Sequence, residues 1–106
     1  MNLLFLCSRN RRRSPTAEAV FAGRSDVECD SAGLADDADH VLSADQLEWA
    51  DIIFVMEKRH LQKLKRRYGR SLTGQKLICL DIPDRYEAND PDLMGLITQR
   101  VTPHLC

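Results

Sequence analysis

One stretch near the amino terminus, Leu3 to Ala22, constrains the fold of this 106-residue chain more than any other. Asn2 to Leu6 is largely apolar and leads directly into Cys7, which is typical of a strand that is buried on both faces. A polar loop follows, and Ser14 and Pro15 then suit the N-cap and the first position of a helix. The stretch therefore predicts a strand, a tight loop and a helix N-terminus, in that order.

The predicted helix carries Ala17, Val20 and Phe21 at helical spacing, and Gly23 suits its C-cap. A loop held between a strand end and a helix N-terminus can turn its amides inward and form an anion-binding cup. Cys7 lies at the edge of this cup, where the helix dipole and nearby cations favour the thiolate.

Arg13 follows Cys7 by six positions, and its planar guanidinium can bind two phosphate oxygens at once. A thiolate, a ring of amides and a guanidinium together form a site for nucleophilic attack on a tetrahedral oxyanion. The alternative interpretation is a cysteine at the end of a core strand, followed by a solvated basic loop.

The pattern Cys7-x-x-Asn10-x-x-Arg13-Ser14-Pro15 resembles the phosphate-binding loop of the low-molecular-weight protein tyrosine phosphatases, a loop that the related arsenate reductases share. The resemblance implies a flavodoxin-like fold of the phosphotyrosine phosphatase I type, with Cys7 as the nucleophile and Arg13 as a catalytic phosphate ligand. It implies that Asn10 braces the loop and that the Ser14 hydroxyl stabilises the thiolate. The residues that it assigns to phosphate or substrate binding are Ser8, Arg9, Asn10, Arg11, Arg12, Ser14 and Tyr86.

The rest of the chain alternates strand and helix signals. Further strands are predicted at Val27 to Gly33, Ile52 to Met56 and Lys76 to Leu80, the first at an edge and the second central. Helices are predicted after Ser43, over Glu57 to Arg67, and from Asp90-Pro91 to Pro103. This order predicts one α/β domain over residues 1–106, a four-stranded parallel sheet with helices on both faces.

Parallel sheets bind ligands at the carboxyl ends of their strands, so the Cys7 loop and the loop from Asp81 to Asp90 should meet. A phosphatase needs an acid there to protonate the leaving oxygen. The resemblance places the family's general acid on Asp84 and an aromatic wall of the substrate cleft on Tyr86. Asp81 remains the alternative acid.

The sequence also departs from the family. The segment between Gly33 and Ser43, which normally supplies part of the substrate cleft, has about half of the family's length. Arg12 stands where many members have a second cysteine. Arg9 and Arg11 replace small or apolar residues, which suggests a strongly anionic substrate or tight binding of the phosphate product.

The sequence lacks metal-binding motifs and membrane-spanning segments, which limits the cofactors and the location that we expect. The four cysteines (Cys7, Cys29, Cys79 and Cys106) and three histidines (His40, His60 and His104) show no metal-ligand spacing, so we expect no metal, no cofactor and no disulfide framework. No apolar run reaches the roughly 20 residues of a membrane span, which predicts a cytoplasmic protein without a membrane partner.

A net charge of −1 argues against a dedicated nucleic-acid binder. The basic helix Glu57 to Arg67 is either a solvated face or a patch for an anionic partner.

The sequence thus predicts a tyrosine-phosphatase-like hydrolase that cleaves a phosphorylated protein or small molecule through a phosphocysteine and releases inorganic phosphate. Three alternatives stay open: an arsenate reductase, a cysteine phosphocarrier, and a non-catalytic phosphate-binding module. The first needs a resolving thiol, and the second needs neither Arg13 nor an acid. The sequence gives no indication of oligomeric state.

Overall fold

A computed structural model describes residues 1–105 of the chain, and Cys106 lies outside the described residues. Strands and helices alternate along the chain. The strands are β1 (Asn2–Cys7), β2 (Glu28–Gly33), β3 (Ile52–Val55) and β4 (Lys76–Cys79). The helices are α1 (Arg13–Phe21), α2 (Ala44–Trp49), α3 (Lys58–Tyr68) and α4 (Pro91–Val101). Within residues 1–105, no helix is long and apolar enough to cross a membrane.

The four strands form one parallel sheet in the order β2-β1-β3-β4. The α/β prediction is therefore confirmed, and so are the edge position of β2 and the central position of β3. In the register of the sheet, Cys7 lies beside Gly33, Leu6 beside Val55, and Val55 beside Cys79. All four carboxyl ends thus lie along one edge, from which the predicted site projects.

Helices cover both faces of the sheet, because alternate residues of a strand point to opposite sides. On one face Leu3 and Phe5 join a core cluster with residues of α1 and α4. On the other face Leu4 and Leu6 join a cluster that contains Leu47 of α2 and Leu64 of α3. Leu3 to Leu6 are fully buried, which explains why β1 reads as a continuous apolar run.

Two of the predicted helix starts are found in the structure. Ser43 and Gln46 form the reciprocal capping box of α2, and the side chain of Asp90 accepts a hydrogen bond from the amide of Asp92 at the start of α4. Pro91 occupies the first turn of α4, as predicted.

The predicted ends of α1 are wrong. The helix begins at Arg13, and Arg12 is its N-cap without a side-chain hydrogen bond, so Ser14 is not the cap. The Ser14 hydroxyl instead lies against the sulfur of Cys7. At the other end, Ala22 is the C-cap in a right-handed conformation, so Gly23 is not needed as a left-handed terminator.

Candidate active site

The loop between β1 and α1 reverses the chain within a few residues. Asn10 has a φ of 57°, in the left-handed region that asparagine tolerates better than most residues. This turn brings the amide of Asn10 back to the sulfur of Cys7, to which it donates a hydrogen bond of 3.2 Å. The loop therefore closes around the cysteine at the carboxyl end of β1.

The sulfur of Cys7 also contacts the Ser14 hydroxyl oxygen, at 2.9 Å. That oxygen accepts a hydrogen bond of 2.9 Å from the side-chain amide of Asn10, which leaves the hydroxyl hydrogen free to point at the sulfur. The same amide donates to the Ser31 hydroxyl at 2.9 Å, and Ser31 in turn donates to Glu18. Two hydrogen-bond donors thus face the sulfur of Cys7.

Arg13 is the other predicted catalytic residue of the loop, and it is 2% exposed. One terminal nitrogen of its guanidinium donates to a carboxylate oxygen of Glu57 at 2.6 Å and to the carbonyl of Ile82 at 2.8 Å. Its Nε lies 3.8 Å from a carboxylate oxygen of Asp84. These contacts fix the plane of the guanidinium beside the cysteine, where it can bind phosphate oxygens.

Glu57 was missed by the sequence analysis, although it lies two residues after the end of β3, at the carboxyl edge of the sheet. Hydrogen bonds from Arg59 and then from Arg13 lower the pKa of Glu57 to about 2, against the opposing effect of burial. Glu57 is therefore an anion at any physiological pH, and it joins the start of α3 to the phosphate loop.

His60 was missed as well, because its spacing in the sequence was informative only about metal binding. Its Nδ1 accepts a hydrogen bond from the amide of Glu57 at 3.1 Å, so the ring proton lies on Nε2. Nε2 lies 3.0 Å from the Ser8 hydroxyl and donates to it. Burial, reinforced by the charges of Arg13 and Arg59, lowers the pKa of His60 to about 4. A neutral imidazole thus ties α3 to the loop.

A cavity of about 730 Å³ opens above Cys7. Seven of its fourteen lining residues are basic, and Asp84 is the one acidic residue that the structure of residues 1–105 places in the lining. Among the lining residues are five that the sequence analysis assigned to the site, namely Ser8, Arg9, Arg11, Arg12 and Arg13. Such a surface attracts anions into the cavity.

Three predicted binding residues do not line this cavity. Asn10 and Ser14 are buried beneath the loop, where they support it from within. Tyr86 is half-buried and packs against the core cluster of α1 and α4, and its hydroxyl accepts a hydrogen bond of 3.3 Å from Arg85. Tyr86 therefore does not line the cavity above Cys7 in this structure, and its role as a wall of the substrate cleft stays a prediction.

The two candidate acids have different positions. Asp84 lines the cavity above Cys7, whereas Asp81 faces a separate depression with Glu57, Lys58 and Arg59. The Asp81 carboxylate accepts a hydrogen bond from the Cys79 thiol at 3.4 Å. The structure thus brings Asp84, and not Asp81, next to the phosphate loop. In the part of the chain that the structure describes, no three acidic, histidine or cysteine side chains are grouped as metal ligands.

No protein-family model and no curated protein matches this chain by sequence, but solved structures share its fold. Vibrio vulnificus Wzb, solved in complex with benzylphosphonate, is 22% identical with a TM-score of 0.79 over 98% of this chain and 96% of its own. SP-PTP, a low-molecular-weight protein tyrosine phosphatase from Streptococcus pyogenes, is 18% identical with a TM-score of 0.78, over 98% and 90%.

A third similar structure is the arginine phosphatase YwlE from Geobacillus stearothermophilus, which is 21% identical with a TM-score of 0.73 over 98% of this chain and 92% of its own. At this level of identity the likeness shows the fold. The chain therefore has the fold of the low-molecular-weight protein tyrosine phosphatases, as the sequence resemblance implied.

Proposed function

We propose that this protein is a cysteine-dependent phosphatase that hydrolyses a phosphomonoester through a phosphocysteine intermediate. The observation that carries the proposal is the environment of Cys7. Its sulfur faces two hydrogen-bond donors, and the buried guanidinium of Arg13 and the carboxylate of Asp84 lie beside the same loop. A nucleophile, an oxyanion cup and an acid are thus present together.

In the first step, the Cys7 thiolate attacks phosphorus. A sulfur–phosphorus bond forms and the bond between phosphorus and the leaving oxygen breaks. Arg13 and the loop amides, from Ser8 to Arg13, hold the equatorial oxygens, and Arg9, Arg11 and Arg12 add positive charge around them. Asp84 donates its proton to the leaving oxygen, a contribution of about 10²–10⁴-fold in such reactions.

In the second step, water attacks the phosphocysteine. Asp84, now a carboxylate, takes a proton from the water, an oxygen–phosphorus bond forms, and the sulfur–phosphorus bond breaks. Inorganic phosphate leaves and the thiolate is restored. The Ser14 hydroxyl stabilises the departing thiolate, and Asn10 keeps the loop in place during both steps.

The comparisons support this proposal at the level of chemistry. Wzb and SP-PTP are described as tyrosine phosphatases or as bound to a phosphonate, and YwlE as an arginine phosphatase. A mutant of YwlE carries a phosphorylated serine in its active site. We therefore propose a phosphorylated protein or small molecule as the substrate and phosphate as the product.

An arsenate reductase would need a second thiol to resolve an adduct on Cys7, and the described thiols do not suit that role. Cys29 pairs with Leu3, four residues or about 13 Å along the strand from Cys7. Burial raises its pKa to about 11. Cys79 packs with the core on the opposite face of the sheet from Cys7. Cys106, the fourth cysteine, lies outside the described residues.

A phosphocarrier gains from slow hydrolysis of its phosphocysteine and needs no acid at the site. The carboxylate of Asp84 beside the phosphate loop therefore favours a hydrolase over a carrier.

The test is steady-state hydrolysis of phenyl phosphate. We expect Cys7→Ser to abolish turnover, and Asp84→Asn to lower kcat by about 10²-fold or more because the leaving oxygen loses its proton donor. Asp81→Asn is the matched control, since this aspartate lies on the same loop outside the cavity. Full activity of Asp84→Asn together with loss of activity in Asp81→Asn would assign the general acid to Asp81 instead. Absence of wild-type turnover would overturn the proposal.

A further inference from the structure

Helix α3 presents three basic side chains to the cavity that contains Cys7. Arg59, Lys63 and Arg66 follow one another by four and three residues, which places them on one face of a helix. All three line the cavity. We refer to these three residues as the α3 basic stripe.

Two members of the α3 basic stripe have no counter-ion within residues 1–105. Arg59 donates to the carboxylate of Glu57 at 3.0 Å. Lys63 and Arg66, by contrast, have no carboxylate within ion-pair distance among residues 1–105. Each of the exposed arginines of the phosphate loop in the same lining does have a carboxylate partner. The three pairs are Arg9 with Asp37, Arg11 with Asp39 and Arg12 with Glu87, at 3.7, 3.2 and 4.0 Å.

The position of the stripe relative to the phosphate loop follows from His60. This residue is on the same helix, and its hydrogen bond to Ser8 anchors α3 beside the loop. Lys63 and Arg66 follow it by three and six residues, which is about 4.5 and 9 Å along the helix axis. Offsets of this order are within the reach of a small molecule that carries two anionic groups.

We infer that the substrate carries a second anionic group, which the α3 basic stripe binds while the phosphate loop holds the phosphate that is cleaved. The inference rests on the proposed phosphatase function and defines its substrate class: a phosphomonoester with a second phosphate or carboxylate. Lysine and arginine form strong charge-assisted hydrogen bonds with both groups. A cavity of about 730 Å³ has room for a ligand of this kind.

Equilibrium binding of two phosphonates tests the inference without requiring turnover. Phenylphosphonate offers one anionic group, and para-phenylene bisphosphonate offers two. We expect wild-type protein to bind the bisphosphonate at least about tenfold more tightly, as measured by titration calorimetry. The double variant Lys63→Gln/Arg66→Gln should lose most of this preference. Arg59 stays unchanged in the variant because it contacts Glu57.

Lys65→Gln is the matched control, because Lys65 is exposed on the same helix and does not line the cavity. This variant removes one positive charge from α3, against two in the double variant, and it should keep the wild-type preference. Equal weakening of both phosphonates by the double variant would show a general field effect and overturn the inference. Equal affinities in the wild type would also overturn it. Failure of the proposed function has a different signature, namely absence of phenyl phosphate hydrolysis while the preference for the bisphosphonate remains.

Discussion

The Asn10 side chain decides where two neighbouring hydroxyl hydrogens point. Its amide donates to both Ser14 and Ser31, so each hydroxyl must direct its own hydrogen to another acceptor. Ser14 turns to the sulfur of Cys7 and Ser31 to the carboxylate of Glu18. One buried asparagine therefore sets the polarity of the contacts beneath the phosphate loop.

Substitution of Asn10 separates the contribution of its side chain from that of its backbone. Asn10→Ala removes two buried hydrogen bonds and puts an alanine at a φ of 57°, so we expect a loss of about 2–4 kcal/mol in the free energy of unfolding. Asn10→Gly loses the same hydrogen bonds without the steric strain. Urea unfolding should find the glycine variant more stable than the alanine variant, the reverse of the usual order. Equal stability would contradict the account of this turn.

His60 makes folding stability depend on pH in a defined window. Its pKa in the folded protein is about 4, below the ordinary value near 6.5, so the unfolded chain binds more protons between these two values. The contribution is fully present above about pH 6.5 and is lost as the pH falls towards 4. A shift of this size corresponds to roughly 3 kcal/mol at most.

We expect His60→Gln to flatten the pH dependence of the urea midpoint between about pH 4 and 6.5, because glutamine has no proton to gain. Its amide can still donate to Ser8. His40→Gln is the matched control, since His40 is exposed. If His60→Gln and the wild type lose stability in parallel over this range, the imidazole is not buried as a neutral group.

At the scale of elements, the segment that links β2 to α2 forms one wall of the phosphate loop. The amides of Leu34, Ala35 and Asp39 donate to the carbonyls of Cys7, Ser8 and Arg9, respectively, at 3.0, 2.8 and 3.1 Å. This backbone contact is possible because Gly33 has no side chain. A Cβ there would lie 2.5 Å from the Cβ of Ala38 and 2.7 Å from the carbonyl oxygen of Ser8.

Gly33→Ala should therefore push the wall away from the loop. We expect a loss of about 1–3 kcal/mol in stability, as for other overpacked sites, together with weaker phosphate binding. Gly23→Ala is the matched control, because a Cβ at Gly23 meets nothing within 4 Å and we expect a change of no more than about 0.5 kcal/mol. Thermal unfolding and phosphate titration measure both effects. A Gly33→Ala protein with unchanged phosphate affinity would show that the wall does not shape the loop.

The sequence predicted the elements well because their signals are local. The apolar run of β1, the capping box of α2 and the Asp-Pro start of α4 each lie within a few residues. The start of α1 was predicted wrongly because Ser14 has two possible partners. Its propensity as a helix cap is visible in the sequence, whereas its contact with Cys7 depends on how the loop closes.

Whether a contact is local in sequence also separates the parts of the site that the sequence could predict from those that it could not. Cys7 and Arg13 lie in one continuous motif, and Asp84 was reached through a resemblance and the rule for parallel sheets. Glu57 and His60 contribute through contacts 44 and 52 residues away in sequence, which only the fold brings together. Tyr86 matches the motif, but its ring packs against a core cluster that the local sequence does not reveal.

At the scale of the whole molecule, charge is segregated around the cavity. The chain has a net charge of −1, yet half of the residues that line the cavity are basic. Three carboxylates outside the lining, Asp37, Asp39 and Glu87, compensate the loop arginines. The molecule thus attracts anions at one edge of the sheet without being basic as a whole. A cytoplasmic location stays a prediction of the sequence.

The central claim is that a phosphoryl group passes through Cys7, and acid quenching during turnover of phenyl phosphate tests it most directly. Intact-mass analysis followed by peptide mapping should find one phosphoryl group on Cys7 in the wild type. Mapping should find none on Cys29 or Cys79, which serve as internal controls. Turnover of the substrate without any phosphoryl group on Cys7 at any quench time would contradict the account.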